Sequence, residues 1–349
     1  MTRKTALLSQ LAFVAVVIVL IALVPGYFEL FTVMQLTLFA SMAVLALSLA
    51  FIWGFGGILS FGQTAFFGLG AYAYAVTAIN YHDSTPAIAL AVLVPALFAL
   101  ALGYLTFYGR ISDVYFGVIT LTVTLILFNV ANSTSGQEYR IGSAQLGGFN
   151  GIPAVPTFNM PFNPSAQLYP EQNWYVTAGA LVAVYGLLRA ILAGRFGRIV
   201  VAVKENETRA SLLGYDPRLI KLLTFTIGGA IAGLAGALYV NWGAFVSPNV
   251  FSLSLSAEII IWVTVGGRGT LLGPVIGAVL IDYIVSSIGS QQVVNADLVL
   301  GAVLLVFVLL LPKGLVPMLR LIGAEALFRA RKPAAPEIEP ATTQPAGSK

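Results

Sequence analysis

The stretch GRFGRIVVAVKENETRASLLGYDPRLIK, residues 194–221, separates two long apolar regions of the chain. It is dense in Lys, Arg, Asp and Glu, which together make up only 9% of the sequence. Apolar runs of about 20 residues flank it and are long enough to cross a bilayer. We therefore predict two membrane-embedded halves joined by one solvated segment, which a water-soluble partner could reach. We call residues 194–221 the charged segment.

The sequence of the charged segment predicts a short helix, after which a second helix begins. Glu205 precedes Arg209 by four residues, an order that favours an ion pair on a helix. Gly214 is placed to end the helix as a left-handed cap. Asp216 is a typical N-cap and Pro217 a typical first helical residue. The apolar face of the first helix is predicted to contain Ile199, Val203, Ala210 and Leu213.

The composition is that of a membrane protein. Hydrophobic residues make up 58% and charged residues 9% of the 349 positions, whereas soluble domains carry about a quarter charged residues. Cysteine is absent, which excludes disulfides and thiolate chemistry, and the single histidine, His82, makes a histidine-based metal site implausible. The fold class is therefore an all-α polytopic membrane protein.

About ten membrane-spanning or re-entrant helices are predicted, and eight if some of the later pieces re-enter. The spans before the charged segment cover residues 6–24, 30–51, 58–79, 87–107, 114–131 and 175–193. Those after it cover residues 222–242, 257–265, 271–288 and 298–311. The segment 257–265 is too short to span unless it continues from residues 247–256.

The distribution of basic residues predicts cytoplasmic N- and C-termini. With this orientation the charged segment, Arg268 and the tail from Lys313 lie inside, and only Arg140 lies outside. Arg140 belongs to a Pro-, Gly- and Asn-rich outer loop at residues 132–172. A membrane domain over residues 1–331 and a disordered cytoplasmic tail over residues 332–349 complete the predicted organisation.

Two apolar segments are interrupted by glycine pairs at corresponding places before and after the charged segment. They are GFGGILSFGQTAFFGLGAYAY at residues 54–74 and VGGRGTLLGPVIGAVL at residues 265–280. Paired broken helices in two halves of a carrier indicate a solute pathway. Close helix packing through small residues is an equally good explanation of the glycines.

Polar side chains in these breaks are the candidate pathway residues. Ser60, Gln63 and Thr64 lie within one turn of an apolar segment, which indicates a helix interior or a wet pathway. In the second break the candidates are Gly266, Gly267 and Arg268. Two intramembrane carboxylates, Glu258 and Asp282, are further functional hypotheses, but no Asp/Glu/His chain forms a proton relay.

Known catalytic signatures are absent from the sequence. It contains no phosphate-binding G-x-x-x-x-G-K-[ST], no G-x-S-x-G nucleophile elbow and no H-E-x-x-H. We therefore predict a protein that is not an enzyme and that binds no cofactor of its own. An intramembrane enzyme would need a polar catalytic cluster, and the sequence offers none.

Three stretches resemble the membrane subunits of branched-chain amino-acid ABC importers. They are GILSFGQTAFFGLGAYAYA at residues 57–75, GRIVVAVKENETRASLLGYDPRLIKLLTFTIGGAIAGLAGALYV at residues 197–240 and VGGRGTLLGPVIGA at residues 265–278. The resemblance covers roughly residues 28–315. The GGFNGIP stretch at residues 147–153 is similar to the larger of the two permease types in these transporters.

The resemblance implies a multi-pass permease of the bacterial inner (plasma) membrane that is one part of a larger assembly. The expected partners are a second homologous permease, two cytoplasmic ATPase subunits that bind the ATP, a periplasmic substrate-binding protein and the lipid bilayer, with no nucleic acid. The implied solutes are branched-chain or similar amino acids. Urea, short amides and aromatic acids are alternatives within the same architecture, and an ion-coupled secondary carrier is a less favoured alternative outside it.

The resemblance also implies a role for the charged segment. ABC importers dock their ATPase through a loop with an E-A-A…G pattern, which Glu207, Ala210 and Gly214 match loosely. Thr208 and Arg209 depart from that pattern. The implied docking residues are Lys204, Glu205, Glu207, Arg209, Ala210 and Gly214. From the residues alone, a charged connector on the membrane surface is favoured; the resemblance favours a coupling helix.

Overall fold

The computed structural model describes residues 19, 21–160, 163–289, 301–302 and 314–318. The predicted tail at 332–349 and almost all of the predicted spans 6–24 and 298–311 lie outside these residues. The number of crossings therefore stays a prediction. Residues 21–27 form a helix that precedes the first element with defined bounds.

The described chain is built from ten helices with defined bounds, separated by short turns and one long loop. They are α1 (Leu30–Leu49), α2 (Gln63–Tyr81), α3 (Ser84–Tyr108), α4 (Asp113–Ser133), α5 (Pro170–Ala193), α6 (Arg195–Glu205), α7 (Glu207–Leu212), α8 (Pro217–Gly243), α9 (Leu253–Gly266) and α10 (Leu272–Gly289). α1 continues into a π-helical turn at Ala50–Phe55.

Five of the described helices are long and apolar enough to cross a membrane: Leu30–Phe55, Ser84–Tyr108, Asp113–Ser133, Pro170–Ala193 and Pro217–Gly243. α9 and α10 are shorter apolar helices. Each predicted span between residues 30 and 288 thus corresponds to a helix, and the all-α polytopic fold class is confirmed. α9 begins at Leu253, upstream of the predicted residue 257, so the preceding segment does extend it.

α8 lies at the centre of the bundle and contacts α1, α2 and α3. Its glycines permit these close approaches: a Cβ atom at Gly236 would overlap the backbone of Phe67, and one at Gly233 would overlap the carbonyl of Ala91. Small residues at such crossings let backbones meet and gain dispersion contacts. Aromatic rings fill the wider gaps, and Phe225 packs edge-on against rings of neighbouring helices.

The outer loop contains two short antiparallel hairpins that the sequence did not predict. β1 (Arg140–Ile141) pairs with β2 (Ala144–Gln145), and β3 (Asn159–Met160) pairs with β4 (Asn163–Gln167). We call the end of the bundle that carries this loop the outer end, and the end that carries the charged segment the inner end.

Side chains at the ends of α2 and α3 fix the outer loop to the bundle. The Asn80 side chain bonds Ser143 and the carbonyl of Ile141. Asp83 caps α3, and the pKa of its carboxyl is lowered by the hydrogen bond from the Thr85 backbone N–H and by one from the Asn159 side chain. The loop is therefore a fixed surface of the outer end.

The charged segment forms two helices before α8 rather than the single helix predicted. Asn206 takes an extended conformation and accepts the backbone N–H of Arg209, which makes it the N-cap of α7. The predicted ion pair between Glu205 and Arg209 is absent from the described salt bridges, because the break at Asn206 separates the two residues. Leu213, which the single predicted helix placed on its apolar face, is 75% exposed for the same reason.

The predicted caps of the charged segment are confirmed. Gly214 has φ of +88°, and its N–H donates to the Ser211 carbonyl while the Tyr215 N–H donates to the Ala210 carbonyl. This pair of bonds is a Schellman motif, which satisfies carbonyls at the helix end. Asp216 accepts the Arg218 N–H at 3.0 Å and caps α8.

Candidate functional site

The six candidate docking residues of the charged segment fall into three groups. Glu205, Arg209 and Gly214 are exposed at the inner end. Ala210 is only 2% exposed and packs inward, so it supports α7 rather than presenting a contact. The remaining two, Lys204 and Glu207, are bonded to the helical bundle.

Lys204 links the charged segment to the first broken helix. Its Nζ donates to the carbonyl oxygen of Gly54 at 2.8 Å. Gly54 lies in the π-helical turn that ends α1, where carbonyls lack their usual partners. A lysine ammonium at a helix C-terminus also interacts favourably with the partial negative charge there. α6 is thus joined to the end of a span by a charge-assisted hydrogen bond.

Glu207 is linked to two further spans through Lys221. The Lys221 Nζ contacts the Glu207 carboxylate and lies 3.2 Å from Oδ1 of Asp113. Glu207 begins α7, Asp113 begins α4, and Lys221 lies in the first turns of α8. The Lys221 side chain is 14% exposed, so the ammonium is held between two carboxylates at the inner end. Lys221 therefore joins α7 to α4 and α8 through ion pairs.

An exposed apolar surface follows α7 and was missed by the sequence analysis. Leu212 is 82% exposed, Leu213 75% and Tyr215 44%. Leu213 and Tyr215 line a groove of about 620 Å³ between α6 and α7. The sequence signal for this surface was the order Leu-Leu-Gly-Tyr at residues 212–215. A glycine that ends a six-residue helix leaves the two leucines before it without a helix to pack against. Exposed apolar side chains of this size mark a contact surface.

The two glycine-interrupted segments meet at the inner end, a contact that the sequence analysis did not predict. A Cβ atom at Gly54 would overlap the carbonyl of Arg268. The Arg268 guanidinium lies 5.0 Å from the centre of the Trp53 ring, within cation–π distance. Gly57 and Gly267 have φ of +73° and +111°, which explains why glycine occupies both breaks. Gly266 and Gly267 are buried and Arg268 is exposed.

The three polar pathway candidates lie deeper and are sealed from water in this conformation. Ser60, Gln63 and Thr64 are at most 1% exposed. Gln63 Nε2 donates to Ser48 Oγ at 2.8 Å, and the hydroxyl of Thr64 lies 2.6 Å from that of Ser256 in α9. Ser60 Oγ and Gln63 Oε1 have no hydrogen-bond partner among the described residues. Buried polar atoms of this kind usually have partners, which sets this turn apart from an ordinary packed helix.

No candidate metal site is found among the described residues. They contain no group of three His, Asp or Glu side chains that could hold an ion. Of the two intramembrane carboxylates, Asp282 leaves Oδ2 without a hydrogen bond among the described residues.

Comparison with known proteins matches the chain to one family. The model of the permease component of branched-chain amino acid transport systems matches residues 31–309. The high-affinity branched-chain amino acid transport system permease protein LivM of Escherichia coli (strain K12) is 27% identical over 89% of this chain and 76% of its own length. LivM of Salmonella typhimurium is 28% identical over 79% of this chain and 68% of its own length.

A relative named for a different solute matches over almost its whole length. The ribose import permease protein RbsC of Escherichia coli (strain K12) is 27% identical over 86% of this chain and 94% of its own length. No solved structure matches this chain.

Proposed function

Because the chain belongs to the branched-chain amino acid family of ABC transporter permeases, we propose that it is the membrane subunit of an importer of branched-chain or similar amino acids. In this proposal a second, homologous permease completes the pathway, and two ATPase subunits bind at the inner end. A solute-binding protein delivers the solute to the outer loop. ATP is bound by the partner subunits, and the inner end faces the cytoplasm.

The observation that carries the proposal is the attachment of the charged segment to three spans at once. Lys204 bonds Gly54 at the end of α1, and Lys221 joins Glu207 to Asp113 at the start of α4. Lys221 itself belongs to α8. A protein that moved α6 and α7 would therefore pull on the inner ends of α1, α4 and α8 together. An isolated connector on the membrane surface would need none of these bonds.

The same arrangement supports a mechanism for opening the inner end. The Gly54 backbone contacts Arg268, and Arg268 lies over Trp53. Movement of α6 through Lys204 would displace Gly54 from Arg268 and separate the two glycine breaks. The buried turn at Ser60, Gln63 and Thr64 would then become accessible from the inner end. In the proposed cycle, the partner ATPases supply the movement and the bonds of this chain transmit it.

The experiment is co-purification of the chain from its native membrane in mild detergent, with mass identification of its partners. We expect a P-loop ATPase and a second permease to accompany it. The double variant L212E/L213E should lose the ATPase while retaining the second permease, because charges replace the exposed apolar contact. Phe149→Glu is the matched control: Phe149 is 79% exposed but lies at the outer end, so this variant should keep the ATPase.

Uptake assays then separate the competing functions. Leucine uptake that requires the ATPase and the binding protein supports the proposal. Uptake of urea, short amides or aromatic acids in its place would retain the architecture and replace the solute. A stable, active complex without any ATPase, with uptake that follows an ion gradient, would establish a secondary carrier instead.

A further inference from the structure

One side of α4 carries exposed polar side chains within a membrane span. Of the five described helices long enough to cross a membrane, α4 alone exposes Ser, Thr, Asn or Gln outside its first and last turns. The two residues are Thr122 and Asn129, which are seven residues apart and so lie on the same side of the helix. At a rise of about 1.5 Å per residue, they lie about 16 Å and about 6 Å below the outer end of α4 at Ser133. We call these two residues the polar stripe.

The hydrogen-bonding groups of the polar stripe are only partly used within the chain. The Asn129 Nδ2 donates to the Leu125 carbonyl at 2.8 Å, and the Thr122 hydroxyl donates to the Val118 carbonyl at 2.9 Å. The second N–H and the Oδ1 of Asn129 have no partner among the described residues. Hydrocarbon tails form no hydrogen bonds, so an amide that faces lipid is unfavourable. The polar stripe is therefore better covered by protein than by lipid.

The neighbouring span α3 shows the surface that lipid requires. In the most apolar 18 residues of each helix, α3 and α4 bury the same share of their residues, 22%. Between residues 89 and 101, however, every exposed side chain of α3 is Ala, Val or Leu. Two equally exposed helices thus present different surfaces. An apolar side suits lipid, whereas polar side chains of membrane helices form hydrogen bonds across helix contacts.

The polar stripe lies on the opposite side of α4 from the candidate pathway turn that contains Ser60. The Phe61 N–H donates to the Thr120 hydroxyl at 3.2 Å, and a Cβ atom at Gly62 would overlap the Thr120 carbonyl. Thr120 and Asn129 are nine residues apart, about two and a half helical turns, so their side chains point in opposite directions. Thr120 is 1% exposed, whereas Asn129 is exposed. A wet pathway at the candidate turn therefore does not account for the polar stripe.

We propose that the polar stripe binds a membrane-spanning helix of the second permease, and that Asn129 forms a hydrogen bond across this contact. Within hydrocarbon the covering segment must be a helix, because other backbone would leave its own polar groups unsatisfied. To complement Asn129, that helix must present both a donor and an acceptor, as Asn, Gln, Ser and Thr do. The inference rests on the proposed function, because it needs a second permease. α4 then stands between the pathway turn and that permease, and Asp113 joins it to the charged segment.

The first test is photocrosslinking of the whole complex in its native membrane. Benzoylphenylalanine is incorporated in place of Thr122 or, as the matched control, in place of Leu97. Leu97 is 63% exposed near the middle of α3, as Thr122 is exposed near the middle of α4. Illumination at position 122 should crosslink this chain to the second permease, which mass identification recognises as a homologue of this chain. Illumination at position 97 should give lipid adducts and no permease crosslink.

The second test removes the hydrogen bond assigned to Asn129. Asn129→Leu should weaken association with the second permease by roughly threefold to tenfold, the effect of losing one hydrogen bond between membrane helices. The amount of second permease retained on serial dilution in detergent measures it. The ATPase should still co-purify, because the only described bond of the Asn129 side chain is to its own helix. Tyr104→Phe is the matched control: Tyr104 is 56% exposed on α3, and removing its hydroxyl should leave the association unchanged.

The outcomes separate this inference from the proposed function. Lipid adducts alone at position 122, in a complex that contains the second permease, would overturn the interface and leave the function standing. Crosslinks from position 122 to another copy of this chain would overturn the assigned partner. Equal retention of the second permease by Asn129→Leu and Tyr104→Phe would overturn the hydrogen bond. A stable, active complex that contains no second permease would overturn the proposed function, and the interface with it.

Discussion

At the scale of single residues, the inner end depends on a few charged side chains that are bonded to backbone or to each other. Lys204 was proposed for partner docking, yet its ammonium is directed at the Gly54 carbonyl within the same chain. A hydrogen bond to a charged group contributes about 1.5–3 kcal/mol when it is protected from water. Lys204 is an exposed residue, so a contribution of about 1 kcal/mol is more realistic.

Lys204→Met should therefore lower the rate of leucine uptake by roughly fivefold, the change in a conformational equilibrium that corresponds to about 1 kcal/mol. The ATPase should still co-purify, since Lys204 faces Gly54 rather than the exposed apolar surface. The measurement is ATP hydrolysis per solute transported, which should rise if the link transmits movement. Arg195→Met removes the same charge from the same helix without breaking a described bond to a span. Equal uptake defects in the two variants would contradict the role assigned to Lys204.

At the scale of whole elements, the bundle depends on close approach of α8 to its neighbours. A Cβ atom at Gly233 would overlap the Ala91 carbonyl of α3, and one at Gly70 of α2 would overlap the Gly233 backbone. Backbone atoms cannot swing away as a flexible side chain can, so adding a side chain here must separate helices. The glycine-rich composition of α8 is therefore explained by packing as well as by membrane context.

Gly233→Val should destabilise the protein by about 3 kcal/mol or more, at the upper end of the cost of overpacking a core. We expect a large loss of monodisperse protein in detergent and a lower thermal midpoint. Gly179→Val in α5 is the control, because a Cβ atom there meets nothing within 4 Å. Thermal scans of the two variants side by side check the prediction, and matching midpoints would show that the α3–α8 contact tolerates a side chain.

Local signals explain which elements could be predicted from the sequence. Apolar runs and caps act within one segment, so the helices between residues 30 and 288 and the caps at Gly214 and Asp216 were predicted correctly. The break at Asn206 was missed because the predicted apolar spacing continued across it, although an N-cap residue before Glu207 was a readable helix start. The exposed Leu213 followed from that error.

The sites assembled from distant segments are harder to predict. The paired glycine breaks predicted a solute pathway, but not the contact between Gly54 and Arg268. The bond from Lys204 to Gly54 had no sequence signal either, since these two residues acquire meaning only when α6 meets the end of α1.

At the scale of the whole molecule, the described conformation closes the chain around its polar interior. Ser60 is 1% exposed, and its Oγ has no partner among the described residues. A buried hydroxyl without a hydrogen bond costs about 1–3 kcal/mol. Such a cost is reasonable if the turn meets water or solute in another state of the transport cycle. The glycine breaks that meet nearby provide the backbone freedom for that change.

The thiol of Ser60→Cys should accordingly be unreactive toward aqueous thiol reagents in the resting complex and reactive during ATP-driven turnover. The substitution costs little, because Ser60 Oγ makes no described hydrogen bond that the thiol would lose. Ser41→Cys in α1 is the control: Ser41 is fully buried and bonds only the local carbonyl of Leu38, so it should stay unreactive in both states. Labelling with and without ATP, read by mass shift on a chain with no native cysteine, checks the prediction. If Ser60→Cys stays unreactive in every state, this turn is a packed core, and the solute must pass elsewhere between the two permeases.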